Sequence, residues 1–207
     1  MSEPAQRREQ ERGRVTRDRV LAAAAAEFAE HGVAGARINR IAEAAHASKE
    51  RIYAWFGDKD ALFDQVMRRA LDDLARAVPI TTDLVDYTLR LHDHFVEHPR
   101  SQRVAIWAWV HDSRGLEDVS DDRLDGYRHK LAVIEEAQRL GLADASWNPA
   151  SLLALILSTA TSWLMAPVEV HIVAAAPESA PESATAERRA DRRHAVEEAA
   201  RRLILPR

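Results

Sequence analysis

The chain has 207 residues, with 29 Lys and Arg against 33 Asp and Glu, and no cysteine. The last fact excludes disulfides, thiolate metal sites and cysteine nucleophiles. Residues 1–60 carry 11 basic and 10 acidic side chains and the remainder 18 and 23, so any nucleic-acid binding must come from local placement of Arg and Lys, not from bulk charge.

The length suits one helical domain with a small one appended. Seven glycines amid abundant Ala, Leu, Arg and Glu favour an all-α chain. No strand-like alternation or glycine-rich phosphate loop stands out. The polar, charged N-terminus lacks a signal-peptide pattern, which makes the cytoplasm the expected location.

Residues 1–15 hold Arg7, Arg8, Arg12 and Arg14. They read as a flexible arm, either a solvated tail or a segment that lies along phosphates or enters a minor groove. A domain is expected over residues 16–60. Thr16 is placed to cap its first helix, Asp18 faces the helix dipole, and Gly32 ends it. Val20, Leu21, Ala24 and Phe28 form the buried stripe, and the alanine run lets neighbouring helices approach closely. Next, Ile38, Ile41, Ala42 and Ala45 fall at helical spacing on one face. Only His46 and Ala47 separate them from Ser48, an N-cap candidate, and from Ile52 and Phe56, four apart. The layout is that of a helix-turn-helix whose second helix presents Lys49, Arg51, Tyr53 and Trp55 outward. Arg51 can fork onto guanine or phosphate, Lys49 brings a point charge, and the Tyr53 hydroxyl can donate to a phosphate oxygen. Two apolar helices around a tight turn also occur in helical proteins that never touch DNA, so spacing alone leaves the question open.

Thr16 to Leu62 resembles the N-terminal domain of TetR-family transcriptional regulators. The resemblance rests on Thr16-Arg17, Val20-Leu21-Ala22-Ala23, Phe28, His31-Gly32, Ile41-Ala42 and Ala45, all in register. It continues through Ser48-Lys49, Ile52-Tyr53, Phe56 and Asp58-Lys59-Asp60-Ala61-Leu62. It implies a DNA-binding set of Arg37, Asn39, Ser48, Lys49, Arg51, Tyr53, Trp55 and Lys59. Three departures stand out. Ala36 and Arg37 replace the usual Thr or Ser opening the second helix, His46 a turn glycine, and Glu50 a small residue. His46 must then hold a backbone angle that glycine favours, and Glu50 sets a negative charge beside the phosphates.

The remaining domain spans residues 61–207. Asp58 caps a helix from about Lys59 to Val78, striped by Leu62, Phe63, Val66, Ala70, Leu71, Leu74 and Val78. The resemblance makes it the connecting helix whose swing reports ligand binding. It makes Lys59 a phosphate contact, though a solvated lysine would look the same. After Pro79, Thr81 or Thr82 opens a helix carrying Leu84, Tyr87, Thr88, Leu91 and Phe95. Ser101 to Ser113 is expected to be helical, with a loop to Asp122. A helix from about Asp121 to Leu140 follows, buried through Leu124, Tyr127, Leu131 and Ile134 and ended by Gly141. Asn148-Pro149 is a strong helix start. Ala150 to Val168 is free of charge over 19 residues, long enough to span a bilayer. Its five Ser and Thr favour burial between partners instead, and no membrane association is expected. Residues 174–186 read as a flexible linker. The last helix, about Thr185 to Leu205, sets Val196, Ala199, Ala200, Leu203 and Ile204 beneath arginines interleaved with acids, a salt-bridged face. By resemblance it pairs with the uncharged helix, and with its dimer mates, as a four-helix bundle.

Tyr87, His94, Phe95, Trp107, His111 and Trp163 form a candidate ligand-binding set, aromatic residues among helices being the usual lining of a small-molecule cavity. Each is equally readable as core. His94 and His98 have a metal-compatible spacing but no fixed acidic third ligand, so neither metal nor cofactor is expected. The expected architecture is an N-terminal three-helix helix-turn-helix domain plus a C-terminal helical ligand-binding and dimerisation domain. The expected function is a homodimeric repressor on a near-palindromic operator in double-stranded DNA, released by a small-molecule effector, and not an enzyme. Two alternatives remain: an architectural DNA-binding protein without a ligand, and a helical-bundle ligand-binding module or enzyme.

Overall fold

A computed structural model describes residues 3–99, 103–104, 121–175 and 182–206. No strand occurs among them, and their helices divide between two compact units. One comprises Met1–Leu74 with His98–Gly115, the other Ala75–Glu97 with Leu116–Arg207.

The first unit begins with α1, Glu3–Gly35. Its helix runs through the stretch expected as an arm, and Thr16 lies inside it instead of capping it. The Thr16 hydroxyl donates to the Arg12 carbonyl at 2.8 Å, a bond within one turn that a mid-helix threonine can make. Arg14 and Glu11 pair at 2.6 Å across one turn, as helix-supporting charges do. Gly32 kinks α1 at φ 65°, ψ 177°, and helical geometry resumes as far as Gly35. Val20, Ala24 and Phe28 are fully buried on one face. α2 (Ile38–Ala44), α3 (Lys49–Phe56) and the start of α4 (Lys59–Ala77) close over that face. Ile41, Ile52, Phe56, Leu62 and Phe63 complete the core, with the Phe28 and Phe63 rings edge to face at 5.2 Å. Asp58 caps α4 by accepting from the Ala61 N–H at 2.7 Å. One boundary between the units falls within α4, after Leu74.

The second unit is built on α5, Leu84–Glu97. Its cap is Asp83, whose carboxylate accepts from the Asp86 N–H at 2.9 Å, and not Thr81 or Thr82. Leu84, Tyr87, Thr88, Leu91, His92 and Phe95 are buried along it. α6 (Asp121–Arg139) ends at Gly141, φ 70°. Its first half is less buried than its pattern suggested: Leu124 is exposed, and full burial begins at Ile134 and Ala137. α7 (Pro149–Ala160) starts at Asn148, which accepts from the N–H groups of Ala150 and Ser151. It stops well short of Val168. Pro167 cannot continue a helix and disfavours helical geometry in the residue before it. Those effects reach only Ala166 and the Trp163 carbonyl, and the chain has already turned at Thr161 before it restarts as α8, Val168–Val173. α9 (Glu182–Ile204) begins inside the expected linker, of which residues 176–181 lie outside the described residues. α5 packs on α9 and α7, and α6 on α7. His92 Nδ1 lies 3.1 Å from the Ala160 carbonyl, which can only accept, so Nδ1 carries the proton. Arg193 grips Asp93 from α9 at 2.9 Å. No helix among the described residues is long and apolar enough to cross a membrane.

Candidate nucleic-acid interface

The turn between α2 and α3 is built by backbone bonds. The His46 N–H donates to the Glu43 carbonyl at 3.1 Å and the Ala47 N–H to the Ala42 carbonyl at 2.9 Å. The second is the six-to-one bond of a Schellman turn, and it requires His46 in the left-handed region, where it sits at φ 50°. A β-carbon there costs roughly 1 kcal/mol. The departure from glycine noted in the sequence is thus a real local strain, held by the core residues on either side.

Ser48 then opens α3, its hydroxyl accepting from the Arg51 N–H at 3.3 Å. Ile52 and Phe56 are buried, which fixes the rotation of the helix and leaves Lys49, Arg51 and Tyr53 exposed. Trp55 differs from its expected outward position. It is half-buried, packs against the core and meets the Phe56 ring edge to face at 6.4 Å. The Arg51 guanidinium lies over its indole at 5.8 Å, so Trp55 supports the arginine. Glu50, at the start of the helix, has its carboxyl held below the usual range by its own backbone N–H and by the Ser48 hydroxyl. Arg37 occupies the N-cap position of α2 without a side-chain cap bond, and its side chain is exposed, as is that of Asn39. Lys59, at the start of α4, reaches the Ala34 carbonyl at 3.5 Å.

Two residues that the sequence reading did not single out organise this surface. Glu27 of α1 is 8% exposed. It accepts from the Arg37 N–H at 2.8 Å and from Arg40 Nε at 2.7 and 3.0 Å, and a terminal nitrogen of Arg40 also pairs with it. Arg40 in turn donates to the Gly35 carbonyl at 3.0 Å. Burial pushes the Glu27 carboxyl up, but the bonds from Arg40 and the Arg37 N–H, with the charges of Arg40 and His31, outweigh it and hold the group ionised. The pair therefore sets where α2 begins, and with it Arg37 and Asn39. The signal in the sequence was an acid beside Phe28, on the edge of the buried stripe. On the opposite side, Arg17 lies over the Phe56 ring at 5.1 Å and donates to Gln65 at 3.0 Å. Arg69 pairs with Asp18 at 2.7 Å, a second tie between α4 and α1.

The six residues of the ligand set fare differently. Tyr87 and Phe95 are buried on α5. Burial, helped by Tyr127 and opposed by Arg90, pushes the Tyr87 hydroxyl up to about 12. His94 is half-buried, its ring 6.1 Å from that of Phe95. Trp163 is half-buried beneath the Arg192 guanidinium at 4.2 Å and lines a groove between α7 and α9 of about 310 Å³. Trp107 and His111 lie outside the described residues.

Residues 20–66 match the family model described as bacterial regulatory proteins, tetR family. Residues 83–202 match that of the tetracyclin repressor-like C-terminal domain. The chain is 31% identical over 190 residues to the HTH-type transcriptional repressor SCO4008 of Streptomyces coelicolor, covering 91% of this chain and 95% of that one. It is 29% identical over 141 residues to the repressor NicS of Pseudomonas putida, covering 61% and 65%. Among solved structures, the regulator SCO4942 of Streptomyces coelicolor superposes with a TM-score of 0.74 at 36% identity, covering 91% of this chain and 98% of that one.

Proposed function

Because the chain belongs to the TetR family and is a DNA-binding transcriptional regulator, we propose that it is a repressor acting as a homodimer on a near-palindromic operator. A small-molecule effector releases it, and its place of action is the cytoplasm, where the DNA is. One observation carries the reading: burial of Ile52 and Phe56 behind the Ser48 cap leaves Lys49, Arg51 and Tyr53 exposed together on one helix. In this reading Arg51 reads a guanine edge, with Trp55 behind it, and Lys49 and Tyr53 hold phosphates. Arg37, Asn39 and Ser48 flank them at the helix starts, and Lys59 adds a phosphate contact from α4. Two such helices related by a dyad enter successive major grooves about 34–36 Å apart.

The homodimer is proposed to form through α7 and α9, whose facing surfaces include the uncharged stretch of the sequence. The effector is proposed to bind among Tyr87, His94, Phe95 and Trp163. It releases DNA by favouring the dimer geometry that fits the operator less well, since a ligand shifts an equilibrium only by its differential affinity for the two states. Both curated relatives named above are repressors, which supports that sign of regulation.

The test is fluorescence anisotropy with a duplex from upstream of the protein's own coding region, beside a scrambled duplex. Arg51→Ala is expected to lose about 1–3 kcal/mol of operator binding and to keep its weak affinity for the scrambled DNA. Equal binding of wild type to both duplexes would instead favour an architectural protein. Undiminished binding by Arg51→Ala would remove α3 as the recognition element.

A further inference from the structure

Lysine is rarely buried without an acid beside it. Lys130, in the middle of α6, is half-buried and has no such partner. Its ammonium lies 4.7 Å from the centroid of the Tyr127 ring, one turn earlier. Among the described residues no carboxylate pairs with it. Burial alone pulls the ammonium below the usual 10.5, with no opposite charge acting in return.

Tyr87 adds a second unmet group. Its side chain is 2% exposed, yet its hydroxyl has no hydrogen-bond partner among the described residues. No side-chain nitrogen or oxygen sealed from solvent lacks a partner there, so this oxygen is still within reach of a small polar group. Tyr127 stands close enough to help raise the Tyr87 hydroxyl. α5 and α6 both pack on α7 and less closely on each other, which leaves the two tyrosines to meet between them. Arg90, over the Tyr87 ring at 6.0 Å, is engaged by Asp86 at 2.6 Å and by the Pro79 carbonyl at 3.1 Å. That leaves Lys130 to meet an incoming charge.

An ammonium is a point charge, without the fork by which arginine grips a phosphate. The Tyr87 hydroxyl, pushed up to about 12, stays a donor at neutral pH. One positive charge and a hydroxyl donor among aromatic rings suit a carboxylate carried on a flat organic molecule. We propose that the effector is an aromatic carboxylate, its charged group held by the Lys130 ammonium and the Tyr87 hydroxyl beside Tyr127. The inference rests on the effector reading above and deepens it, by giving that molecule its charge and adding Lys130 and Tyr127 to its site.

Isothermal titration calorimetry of the full chain tests it with probes of one shape: naphthoate, naphthylmethanol and naphthylmethylammonium. Naphthoate is expected to bind wild type about tenfold more tightly than the other two. Lys130→Met should lose about tenfold of that affinity and leave the alcohol unchanged, while Lys130→Arg should keep most of it. Without ligand, Lys130→Met should melt at a higher temperature than wild type, because an ammonium without a counter-charge is no longer buried. A lower melting temperature would give the lysine to packing over Tyr127 and overturn the site. Naphthoate bound equally by wild type and Lys130→Met, tighter binding of the alcohol or the ammonium, or no binding of naphthoate at all would overturn the carboxylate class. Failure of the effector reading looks different: naphthoate that binds through Lys130 without weakening operator binding keeps the anion site and removes the release of DNA.

Discussion

The two units handle polar groups in different ways, and the difference explains which of them discloses its function. In the first, the apolar core is closed beneath α3, and the polar residues that matter stand outside it on a helix whose rotation the core fixes. Exposure and chemistry then point the same way at Lys49, Arg51 and Tyr53. In the second unit, polar groups such as His92, Thr88 and the Tyr87 hydroxyl lie inside the core. There a side chain that holds the bundle together and one that touches a ligand are the same kinds of residue in the same kind of place. Function that lies on the surface of a core can be read from its pattern; function that lies within it is masked by packing.

The largest expected break in this contrast comes from the core beneath α3. Phe28→Ala should cost about 3–5 kcal/mol of unfolding free energy in the first unit and abolish operator binding, which thermal unfolding and anisotropy would report together. Phe95→Ala should cost a similar amount in the second unit yet leave some operator binding; equal loss in both would show the two regions acting as one.

An acid titration gives a smaller effect. Glu27 is ionised more readily in the fold than in the unfolded chain, so its contribution is present above the ordinary glutamate value of 4.5 and fades as pH falls through its lowered folded value. Glu27→Gln should flatten that acid limb of stability, and an unchanged acid limb would show that the Arg40 contact contributes nothing. Tyr87 sharpens the contrast at the other end of the scale. Its folded value of about 12 lies above the unfolded 10, so its contribution is intact below pH 10 and is lost as pH rises toward 12. Ultraviolet titration should find one tyrosine late to ionise, and Tyr87→Phe should remove it. The smallest change expected is His46→Gly, which relieves the left-handed strain for a gain of up to about 1 kcal/mol, measurable in urea.

Much of the helical framework was legible because its ends carry their own chemistry. Ser48 and Asn148 cap where their side chains predict, and the His46 turn has the conformation that its missing glycine implied. The misreadings share a cause, which is that local signals were weighed without their competitors. Thr16 resembled a cap but satisfied its hydroxyl within the helix. The uncharged run from Ala150 looked continuous because an absence of charge does not mark a helix end, and the chain turns at Thr161, ahead of Pro167. Leu124 kept the spacing of a core residue on a part of α6 that the core does not reach. At the candidate interface, Lys49, Arg51 and Tyr53 were visible from spacing, whereas Glu27 was not, because its partners Arg37 and Arg40 come together only once α1 and α2 are packed.

That packing has a practical consequence for handling the protein. Mobile ions compete directly for the exposed cations facing a phosphate backbone, and affinity falls steeply with added salt. They have little access to the Glu27 carboxylate, which is 8% exposed and lies largely beyond their screening. Concentrated salt should therefore strip the protein from a DNA column while α2 keeps its seat on α1. Dialysis back should return material that rebinds without any refolding step, so the same preparation can be eluted and reused.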